Sequence, residues 1–377
     1  MIFFDNASTT KVSENVLNDF LVKTKEFFAN PSSIHHLGMD LANRILREKV
    51  MVLTALKLQP RDYEVVYTSS ATEANNLAIM GYCLENSNRG KHIITTKVEH
   101  ASVMNVFKEL EKNYGFRVTY LSMKENGTID IDELKSVINK ETILVSTMAV
   151  NNETGAIFNI KEVSDVVAKF PKCVLHCDCA QTLGKALFQF NLADMITITS
   201  HKIHGLKSIA CLIKKKKINL RPILFGGGQQ DGLRSSTMDY PLISSFTVAI
   251  KETVANYSKN LAKVREVFNT CVEGLKDNPH VKLHLFEKQS PYILNLSLTD
   301  KKASVVVEAL SNKGIFVSSV SACSSKEDKP SYVLLAFNKP LEEAKNTIRL
   351  SFDSLNTVEE ANIFLKEFNE ILESVRS

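Results

Sequence analysis

The sequence feature that most restricts the fold is a regular alternation of strand-like and helix-like segments through the first half of the chain. Short apolar, β-branched runs alternate with longer stretches whose apolar residues recur at helical spacing. This alternation is typical of an α/β domain with a mainly parallel sheet, in which ligands bind outside the carboxyl ends of the strands. The predicted strands cover residues 64–67, 92–96, 116–121, 142–150, 174–179, 195–199 and 209–214.

The pattern changes after a long predicted helix over residues 244–276, beyond which short strands mix with helices. A chain of 377 residues is also longer than a single compact core usually holds. We therefore predict a large domain over residues 13–255 and a smaller α+β domain formed by residues 1–12 with 256–377.

Composition and charge are those of an ordinary soluble enzyme, with 44% hydrophobic residues, 23% charged residues and a net charge of +4. Without a long basic tail, no direct contact with nucleic acid is expected. The apolar runs have the length of strands and are too short to span a membrane, and the start of the chain lacks the features of a signal peptide. We therefore expect a cytoplasmic protein whose seven cysteines are mostly reduced.

Lys202 comes directly after the predicted strand 195–199 and the residues Ser200 and His201. A lysine amine at the end of a buried strand loses hydration, so its pKa falls and it becomes a candidate nucleophile toward a carbonyl. The alternative is a lysine whose side chain leaves the core and extends to solvent. This stretch alone leaves both interpretations open.

A segment rich in serine and threonine, residues 68–72, joins the first strand of the large domain to a helix. Hydroxyls and unpaired amides at the amino end of a helix favour the binding of a phosphate. The alternative is ordinary capping of the helix by serine or threonine.

Asp178 lies within an apolar strand, where a buried carboxylate is costly unless it has a cationic partner. A protonated pyridine nitrogen would be such a partner. A metal site is the alternative, although the spacing matches no zinc module and strand alternation separates the imidazole from two of the thiols. The residues of that alternative are Cys173, His176, Cys177 and Cys179.

Two further residues suit small-molecule chemistry, and each has a structural alternative. His100 follows a predicted strand, where it could stack on a planar ring or transfer protons, or simply support the fold. Arg349 points to the opposite face of its predicted strand from Ile348 and Leu350. There it could bind a substrate carboxylate or face solvent.

Cys323 lies in a segment, residues 318–330, whose small, polar and then charged residues end in proline, as is typical of a loop. A thiol with an ordinary pKa of about 8.5 is partly ionised at neutral pH and is nucleophilic. The other six cysteines lie in predicted helices or strands. Cys323 is therefore the candidate reactive thiol, with a tolerated surface cysteine as the alternative.

Taken in order, these segments closely resemble the NifS/IscS-type cysteine desulfurases, which are fold-type I pyridoxal-phosphate enzymes. The likeness runs through nearly the whole chain, and the order and spacing of its motifs make it specific. It implies a large domain with a mainly parallel, mixed sheet flanked by helices, and a smaller α+β domain. The motifs are Asp5-Asn-Ala-Ser-Thr-Thr10, Asn30-Pro-Ser-Ser-Ile-His35, Thr68-Ser-Ser-Ala-Thr-Glu73, Glu99-His100, Asn151-Asn-Glu-Thr-Gly155, Asp178-Cys-Ala-Gln181, Ser200-His-Lys202, Gly226-Gly-Gly-Gln229 and Ser321-Ala-Cys-Ser-Ser325.

The resemblance implies a role for each ring-binding residue. Lys202 would hold pyridoxal 5'-phosphate as an internal Schiff base, and its released amine would transfer protons. Asp178 would pair with the pyridinium nitrogen, Gln181 would contact the ring hydroxyl, and His100 would stack on the ring.

The resemblance also implies the phosphate, substrate and sulfur contacts. Asn152 and Arg349 would position the substrate carboxylate. Asn152 would also contact the cofactor. Cys323 would attack the sulfur of the cysteine–cofactor adduct, leaving alanine and an enzyme persulfide. The phosphate would be held by the Ala71 backbone, Thr72, Thr199 and His201, with Thr237 contributed across a homodimer interface.

Several positions depart from the family pattern. The family usually has glycine where Ser70 and Ser236 stand, and a glycine-proline-lysine-glycine-like run where this chain has Gly205-Leu-Lys-Ser208. Met238 and Asp239 replace the usual glutamate and asparagine. Any of these positions that requires a positive φ would be strained by its side chain.

The function that the resemblance implies is conversion of L-cysteine to L-alanine by a homodimeric enzyme. The sulfur would pass to an acceptor such as an Fe–S scaffold or a tRNA thiolase. A selenocysteine lyase or another pyridoxal-phosphate lyase is the enzymatic alternative, and a weakly active sulfur carrier or scaffold is the non-enzymatic one.

Overall fold

The computed structural model describes residues 1–319 and 329–374. A π-helical segment at Leu77–Gly81 joins two of the helices, and 3₁₀ turns lie at Phe190–Leu192 and Ser200–Lys202. The helices are α1 (Glu14–Glu26), α2 (His36–Ala55), α3 (Ala71–Asn76), α4 (Tyr82–Glu85), α5 (Ala101–Tyr114), α6 (Ile131–Val137), α7 (Ile160–Val167), α8 (Tyr240–Ala255), α9 (Tyr257–Leu275), α10 (Ala303–Asn312), α11 (Tyr332–Ala336), α12 (Leu341–Lys345) and α13 (Val358–Ser374). The strands are β1 (Ile2–Phe3), β2 (Tyr63–Thr68), β3 (His92–Thr96), β4 (Arg117–Leu121), β5 (Thr142–Met148), β6 (Val174–Asp178), β7 (Met195–Thr199), β8 (Ala210–Lys215), β9 (Val281–His284), β10 (Ile293–Leu298), β11 (Ile315–Phe316), β12 (Ser318–Ser319) and β13 (Thr347–Ser351).

The main sheet has seven strands in the order β2-β8-β7-β6-β5-β3-β4. Neighbouring strands from β7 to β4 run parallel, and β8 runs antiparallel to both β7 and β2. Every residue of β3, β5 and β7 is buried, as expected for a sheet covered by helices on both faces. The prediction of a mainly parallel, mixed sheet flanked by helices is confirmed.

A second sheet of four antiparallel strands, in the order β12-β13-β10-β9, packs with α9, α10 and α13 around a separate hydrophobic core. The start of the chain joins this core, since β1 pairs in parallel with β11 and Phe4 is fully buried there. These contacts accord with the predicted grouping of residues 1–12 with 256–377. The domain boundaries themselves stay a prediction.

The single helix predicted over residues 244–276 is wrong, because the chain forms two helices that meet at Asn256. Asn256 has φ −95° and ψ 5°, outside the helical region. Its side-chain amide donates to the Glu252 carbonyl at 3.0 Å. An asparagine that bonds to nearby backbone in this way competes with the helical hydrogen bonds and favours a break.

The departures from family glycines have different consequences. Ser70 is in extended backbone at φ −162° and caps α3, accepting a hydrogen bond from the Glu73 amide at 3.2 Å. Ser208, by contrast, lies in the left-handed region at φ 66°. A side chain is disfavoured in that region, so the expected strain is present at Ser208 and not at Ser70.

We expect the Ser208→Gly variant to unfold at a higher denaturant concentration, with a gain in unfolding free energy of up to about 1 kcal/mol from relief of the left-handed strain. Urea unfolding followed by circular dichroism measures this gain. Ser258→Gly is the matched control, since Ser258 is exposed in the first turn of α9, where glycine relieves no left-handed strain and should not increase stability. Equal losses in both variants would contradict the argument.

Candidate active site

The carboxyl ends of the parallel strands open into a cavity of about 430 Å³ that also borders the second sheet. Side chains from both ends of the chain contribute to its wall, including Ser8 and Arg349. The cavity thus brings together most of the residues singled out in the sequence. The predicted site residues that line it are Ala71, Thr72, His100, Asn152, Asp178, Gln181, His201, Lys202 and Arg349.

Three predicted site residues lie elsewhere. Thr199 is buried at the end of β7, just behind the cavity wall. Thr237 is exposed on this chain and is not part of the wall, so any cofactor contact it makes would be with another copy of the chain. Cys323 lies outside the described residues.

Asp178 is 6% exposed, and its described hydrogen bonds come from neutral donors. Oδ2 accepts from the Asn75 amide at 2.8 Å, and Oδ1 accepts from the Ala180 backbone N–H at 2.9 Å. These donors orient the carboxylate without neutralising its charge. A carboxylate with such surroundings fits a cationic ring nitrogen placed in the cavity.

Asn75 is a site residue that the sequence reasoning missed. It is fully buried in α3, and its amide donates to Ser102 Oγ at 2.9 Å as well as to Asp178. No local pattern indicates that contact, because Asn75 and Asp178 are 103 residues apart.

His100 caps α5, with Nδ1 accepting a hydrogen bond from the Ser102 backbone N–H at 3.1 Å. Nδ1 is therefore unprotonated, and Nε2 carries the proton of the neutral ring. Burial lowers the pKa of His100, and the charges of Lys202 and Arg349 lower it further against the opposing effect of Asp178. A neutral imidazole on the cavity wall fits stacking on a planar ring.

The cavity wall at the start of α3, and the buried residues that precede His201, have donors suited to a phosphate. The amides of Ala71 and Thr72 begin α3, where they lack intrahelical acceptors. The buried hydroxyls of Thr199 and Ser200 have no hydrogen-bond partner within the described part of the chain. Unsatisfied donors of this kind, next to a helix amino end, fit an anionic group.

Burial lowers the pKa of His201 to about 4, and the neighbouring charges of Lys202, Lys185 and Lys207 act in the same direction. Its ring is consequently neutral at physiological pH. The His201 Nδ1 lies 3.3 Å from Thr9 Oγ1.

Arg349 is 6% exposed, so the solvent-facing alternative is wrong. Its guanidinium donates to Asp5 Oδ1 at 2.9 Å, Ser8 Oγ at 2.8 Å and the Asn152 carbonyl at 2.9 Å. These contacts fix the planar guanidinium on the cavity wall beside Asn152. A fixed guanidinium there suits a carboxylate ligand.

The amino-terminal segment, residues 1–10, connects the second sheet to the cavity. The Asn6 N–H donates to the Ser351 carbonyl at 3.2 Å. One residue further, the Ala7 carbonyl accepts from Gln181 Nε2 at 2.7 Å. The first residues of the chain therefore support the wall of the site.

Glu153, Ser331 and Tyr332 also line the cavity, and the sequence reasoning assigned them no role. Burial raises the pKa of Glu153 to about 7, against the lowering effect of its hydrogen bond from the Ser331 hydroxyl at 2.6 Å. The Tyr332 hydroxyl donates to the Glu99 carbonyl at 2.5 Å. These bonds fix residues 331–332 at the cavity. Glu153 belongs to the Asn-Asn-Glu-Thr-Gly motif, which is the signal that could have found it.

The metal alternative at β6 lacks structural support. The His176 ring contacts Ser146 Oγ at 2.8 Å and Thr197 Oγ1 at 3.1 Å. Cys177 and Cys179 pack instead into the largest hydrophobic core. Strand alternation thus separates the imidazole from these thiols, as predicted.

Each cysteine in the described part of the chain is buried and free of disulfides. Burial raises the thiol pKa at five of them, to about 12 at Cys271 and further at Cys83, Cys173, Cys177 and Cys211. Buried thiols of this kind are protonated at neutral pH and unreactive. None of these five cysteines therefore suits sulfur chemistry, and the sixth, Cys179, is buried in the largest hydrophobic core.

An ion pair connects the segment that follows Lys202 to the residues after β13 of the second sheet. His204, two residues after Lys202, lies with Nε2 2.9 Å from Asp353 Oδ2. Burial disfavours the charged imidazole, but the hydrogen bond and charge of Asp353 outweigh it and raise the pKa of His204. Burial likewise opposes the ionised form of Asp353, yet His204 lowers the pKa of that carboxyl overall.

The two shifts define the pH range in which this pair stabilises the protein. The stabilisation contributed by His204 is fully present below the pKa of its imidazole in the unfolded chain. It is lost as pH rises through the higher pKa of the folded state. The stabilisation contributed by Asp353 is fully present above the pKa of its carboxyl in the unfolded chain. It is lost as pH falls through the lower pKa of the folded state. Both stabilising contributions are therefore fully present between about pH 4 and 6.5.

We expect Asp353→Asn to lower the free energy of unfolding by about 2 kcal/mol near pH 5.5, because a buried charged hydrogen bond is lost. The difference from wild type should shrink as pH rises through the raised folded pKa of His204. Urea unfolding of the cofactor-loaded protein across this range measures it. Asp300→Asn is the control, since Asp300 pairs with His280 on the surface, and a similar loss there would contradict the prediction.

Within the described residues, the helices are too short or too polar to cross a membrane.

The geometry agrees with comparisons to known proteins. Residues 2–364 match the aminotransferase class-V family. The chain is 38% identical to a NifS/IcsS protein homolog of Lactobacillus delbrueckii subsp. bulgaricus, over 98% of this chain and 97% of that protein. It is 34% identical to cysteine desulfurase IscS 1 of Archaeoglobus fulgidus, over 100% of this chain and 98% of that protein.

A solved structure described as a NifS-like protein superimposes with a TM-score of 0.92 at 31% identity, covering 99% of this chain and 100% of the other. Both the sequence likeness and the structural likeness extend over essentially the full length. The chain therefore belongs to the aminotransferase class-V family and, within it, to the NifS/IscS-type cysteine desulfurases, which use pyridoxal phosphate.

Proposed function

We propose that this enzyme converts L-cysteine to L-alanine and retains the sulfur as a persulfide on Cys323. The observation that carries the proposal is the joint placement of Lys202, Asp178 and Arg349 on the wall of one cavity. An amine, a buried carboxylate and a fixed guanidinium are the groups needed to anchor the cofactor, retain its charge and bind an amino acid.

Different residues of the cavity contact different parts of the cofactor. Lys202 provides the amine that anchors pyridoxal phosphate and then moves protons at the substrate. Asp178 keeps the ring nitrogen protonated, and His100 packs against the ring. When bound, pyridoxal phosphate supplies an electron sink for the amino acid. The phosphate contacts are the amides of Ala71 and Thr72 with Thr199 and His201, joined by Thr237 from a second copy of the chain.

Arg349 and Asn152 orient the substrate. The guanidinium of Arg349 is already fixed by Asp5 and Ser8, so little conformational entropy is lost when it binds a carboxylate. Lys329 and Pro330, which follow the Cys323 segment in the chain, line the same cavity.

Transfer of the substrate sulfur to Cys323 requires no external oxidant. The Cys323 thiolate forms a bond to the substrate sulfur, and the bond between that sulfur and the substrate Cβ breaks. The electron pair stays with the carbon, which takes up a proton to give alanine. The enzyme retains the persulfide, which an acceptor can then reduce.

We further propose a cytoplasmic homodimer that supplies sulfur for Fe–S clusters or tRNA thiolation. Large apolar side chains of α1, of α2, of the loop between them and of the loop between β8 and α8 are exposed, among them Phe28, Ile34 and Phe225 at 82%, 93% and 75%. Apolar exposure of that extent is typical of a surface that another chain covers. A second chain there would also bring Thr237 to a cavity.

The direct test is to incubate the loaded enzyme with L-cysteine and a thiol reductant, then measure alanine and sulfide. We expect equal amounts of both, dependent on added pyridoxal phosphate. A parallel reaction with L-selenocysteine separates the alternatives, since turnover of selenocysteine alone would favour a lyase. A protein that binds the cofactor and releases neither product would be a sulfur carrier or scaffold.

A further inference from the structure

Lys185 is a buried cation for which the proposed mechanism has no use. It is 6% exposed, and its ammonium donates to Gln181 Oε1 at 2.7 Å. That acceptor is a neutral amide, so the hydrogen bond does not neutralise the buried charge. Burying an ammonium against a neutral group costs free energy that an apolar side chain of the same size would not.

The hydrogen bonds of Gln181 indicate that the charge of Lys185 orients the Gln181 side-chain amide. Gln181 Oε1 is directed at Lys185, and Nε2 donates to the Ala7 carbonyl at 2.7 Å. In its protonated form Lys185 can only donate, so it then fixes which end of the amide is oxygen and which is nitrogen. The second N–H of Gln181 remains available on the cavity wall that Gln181 and Ala7 share.

We propose that Lys185 is a positioning residue, which holds the Gln181 oxygen away from the cavity so that the Gln181 amide N–H faces the phenolic oxygen of the cofactor ring. This inference rests on the proposed function and extends it to a residue that lies behind the ring contacts. In the opposite orientation, the amide would place its oxygen against the phenolic oxygen, and these two acceptors would repel each other when the phenol is ionised.

The charge of Lys185 also acts on the cavity. The pKa of Lys185 is lowered to about 7, mainly by burial; the charges of Lys202 and Arg349 act in the same direction, and that of Asp353 acts against them. The repulsion between Lys185 and Lys202 is mutual, so an ammonium at position 185 disfavours a positive charge on the nitrogen of Lys202. The visible absorption of the bound cofactor depends on that protonation, so it reports on Lys185.

The test uses Lys185→Met, which keeps the volume of the side chain and removes its charge. Apoprotein is titrated with pyridoxal phosphate, and binding is followed by absorbance near about 400 nm. We expect the dissociation constant to rise about tenfold, as for the loss of one charge-assisted hydrogen bond. The pH midpoint of the visible band should rise, because protonation at Lys202 becomes easier.

Lys214→Met is the matched control, because Lys214 is also buried, at 3% exposure. It pairs with Glu64 and with the Ile218 carbonyl at the end of β8 far from the cavity. This control should unfold at a lower temperature than wild type, with unchanged cofactor affinity and band midpoint. The Lys185→Met apoprotein should unfold at the wild-type temperature or above, since an unneutralised buried charge has been removed.

A double variant distinguishes positioning from a direct charge effect. If Lys185 acts through Gln181, adding Lys185→Met to Gln181→Met leaves the dissociation constant unchanged. Additive losses in the double variant would overturn the positioning role, as would a Lys185→Met protein with wild-type affinity and band midpoint. Wild-type protein that takes up no pyridoxal phosphate would overturn the proposed function as well, so the two failures are distinguishable.

Discussion

A Cys323→Ser variant is expected to release alanine from L-cysteine at least about a hundredfold more slowly than wild type, because a serine hydroxyl is not ionised at neutral pH and cannot accept the sulfur. Cofactor binding should be unchanged, since none of the proposed cofactor contacts involves Cys323. Mass spectrometry of wild-type protein mixed with L-cysteine should show one added sulfur at Cys323, and the variant should show none.

Cys271→Ala provides the control for that substitution. Cys271 is fully buried in α9, and burial raises the pKa of its thiol to about 12. Its loss should lower stability through a small cavity and leave the activity of the folded protein unchanged. Alkylation of the native protein with iodoacetamide should modify Cys323 alone. Full sulfur transfer by Cys323→Ser would remove the persulfide role and require another acceptor.

The second large effect is expected for Lys202→Ala, which should lose desulfurase activity by at least about a thousandfold. The variant lacks both the covalent anchor and the amine that moves protons. After gel filtration it should be colourless, whereas the wild-type protein should absorb near about 400 nm. Absorbance spectra and alanine release measure the two losses independently.

Lys207→Ala is the matched control for the anchor. Lys207 is an exposed lysine five residues further along the same segment. Its removal should leave colour and turnover near wild type. A coloured, active Lys202→Ala protein would contradict the placement of the anchor, and equal losses in both variants would point to general damage of the segment.

The sequence predicted the main sheet well because burial on both faces leaves a strong local signal. The predicted bounds of β3 and β7 agree with the structure at both ends, since their residues form continuous apolar or β-branched runs. The break at Asn256 was missed because the residues on both sides have helical periodicity. Only the backbone geometry of that one residue separates α8 from α9.

The candidate site was predicted in part, for a physical reason that differs from residue to residue. Motifs at the strand ends identified Lys202 and Asp178, because parallel strands end at one edge of the sheet. Nothing in the local sequence distinguishes Lys185 from a surface lysine, because it lies with its partner Gln181 in a run of turns without helical periodicity, and its burial depends on distant segments. The supporting contacts of Asp178 likewise come from α3, which only the tertiary fold brings close.

The path of the amino-terminal segment has a consequence for biosynthesis. Asn6 bonds to Ser351, a partner 345 residues further along the chain, while Ala7 supports Gln181 at the cavity. On the ribosome, the main sheet can therefore form while the first residues still lack their partners. The cofactor cavity acquires its full wall only after nearly the entire polypeptide has been translated, so truncated nascent chains do not contain a complete desulfurase site.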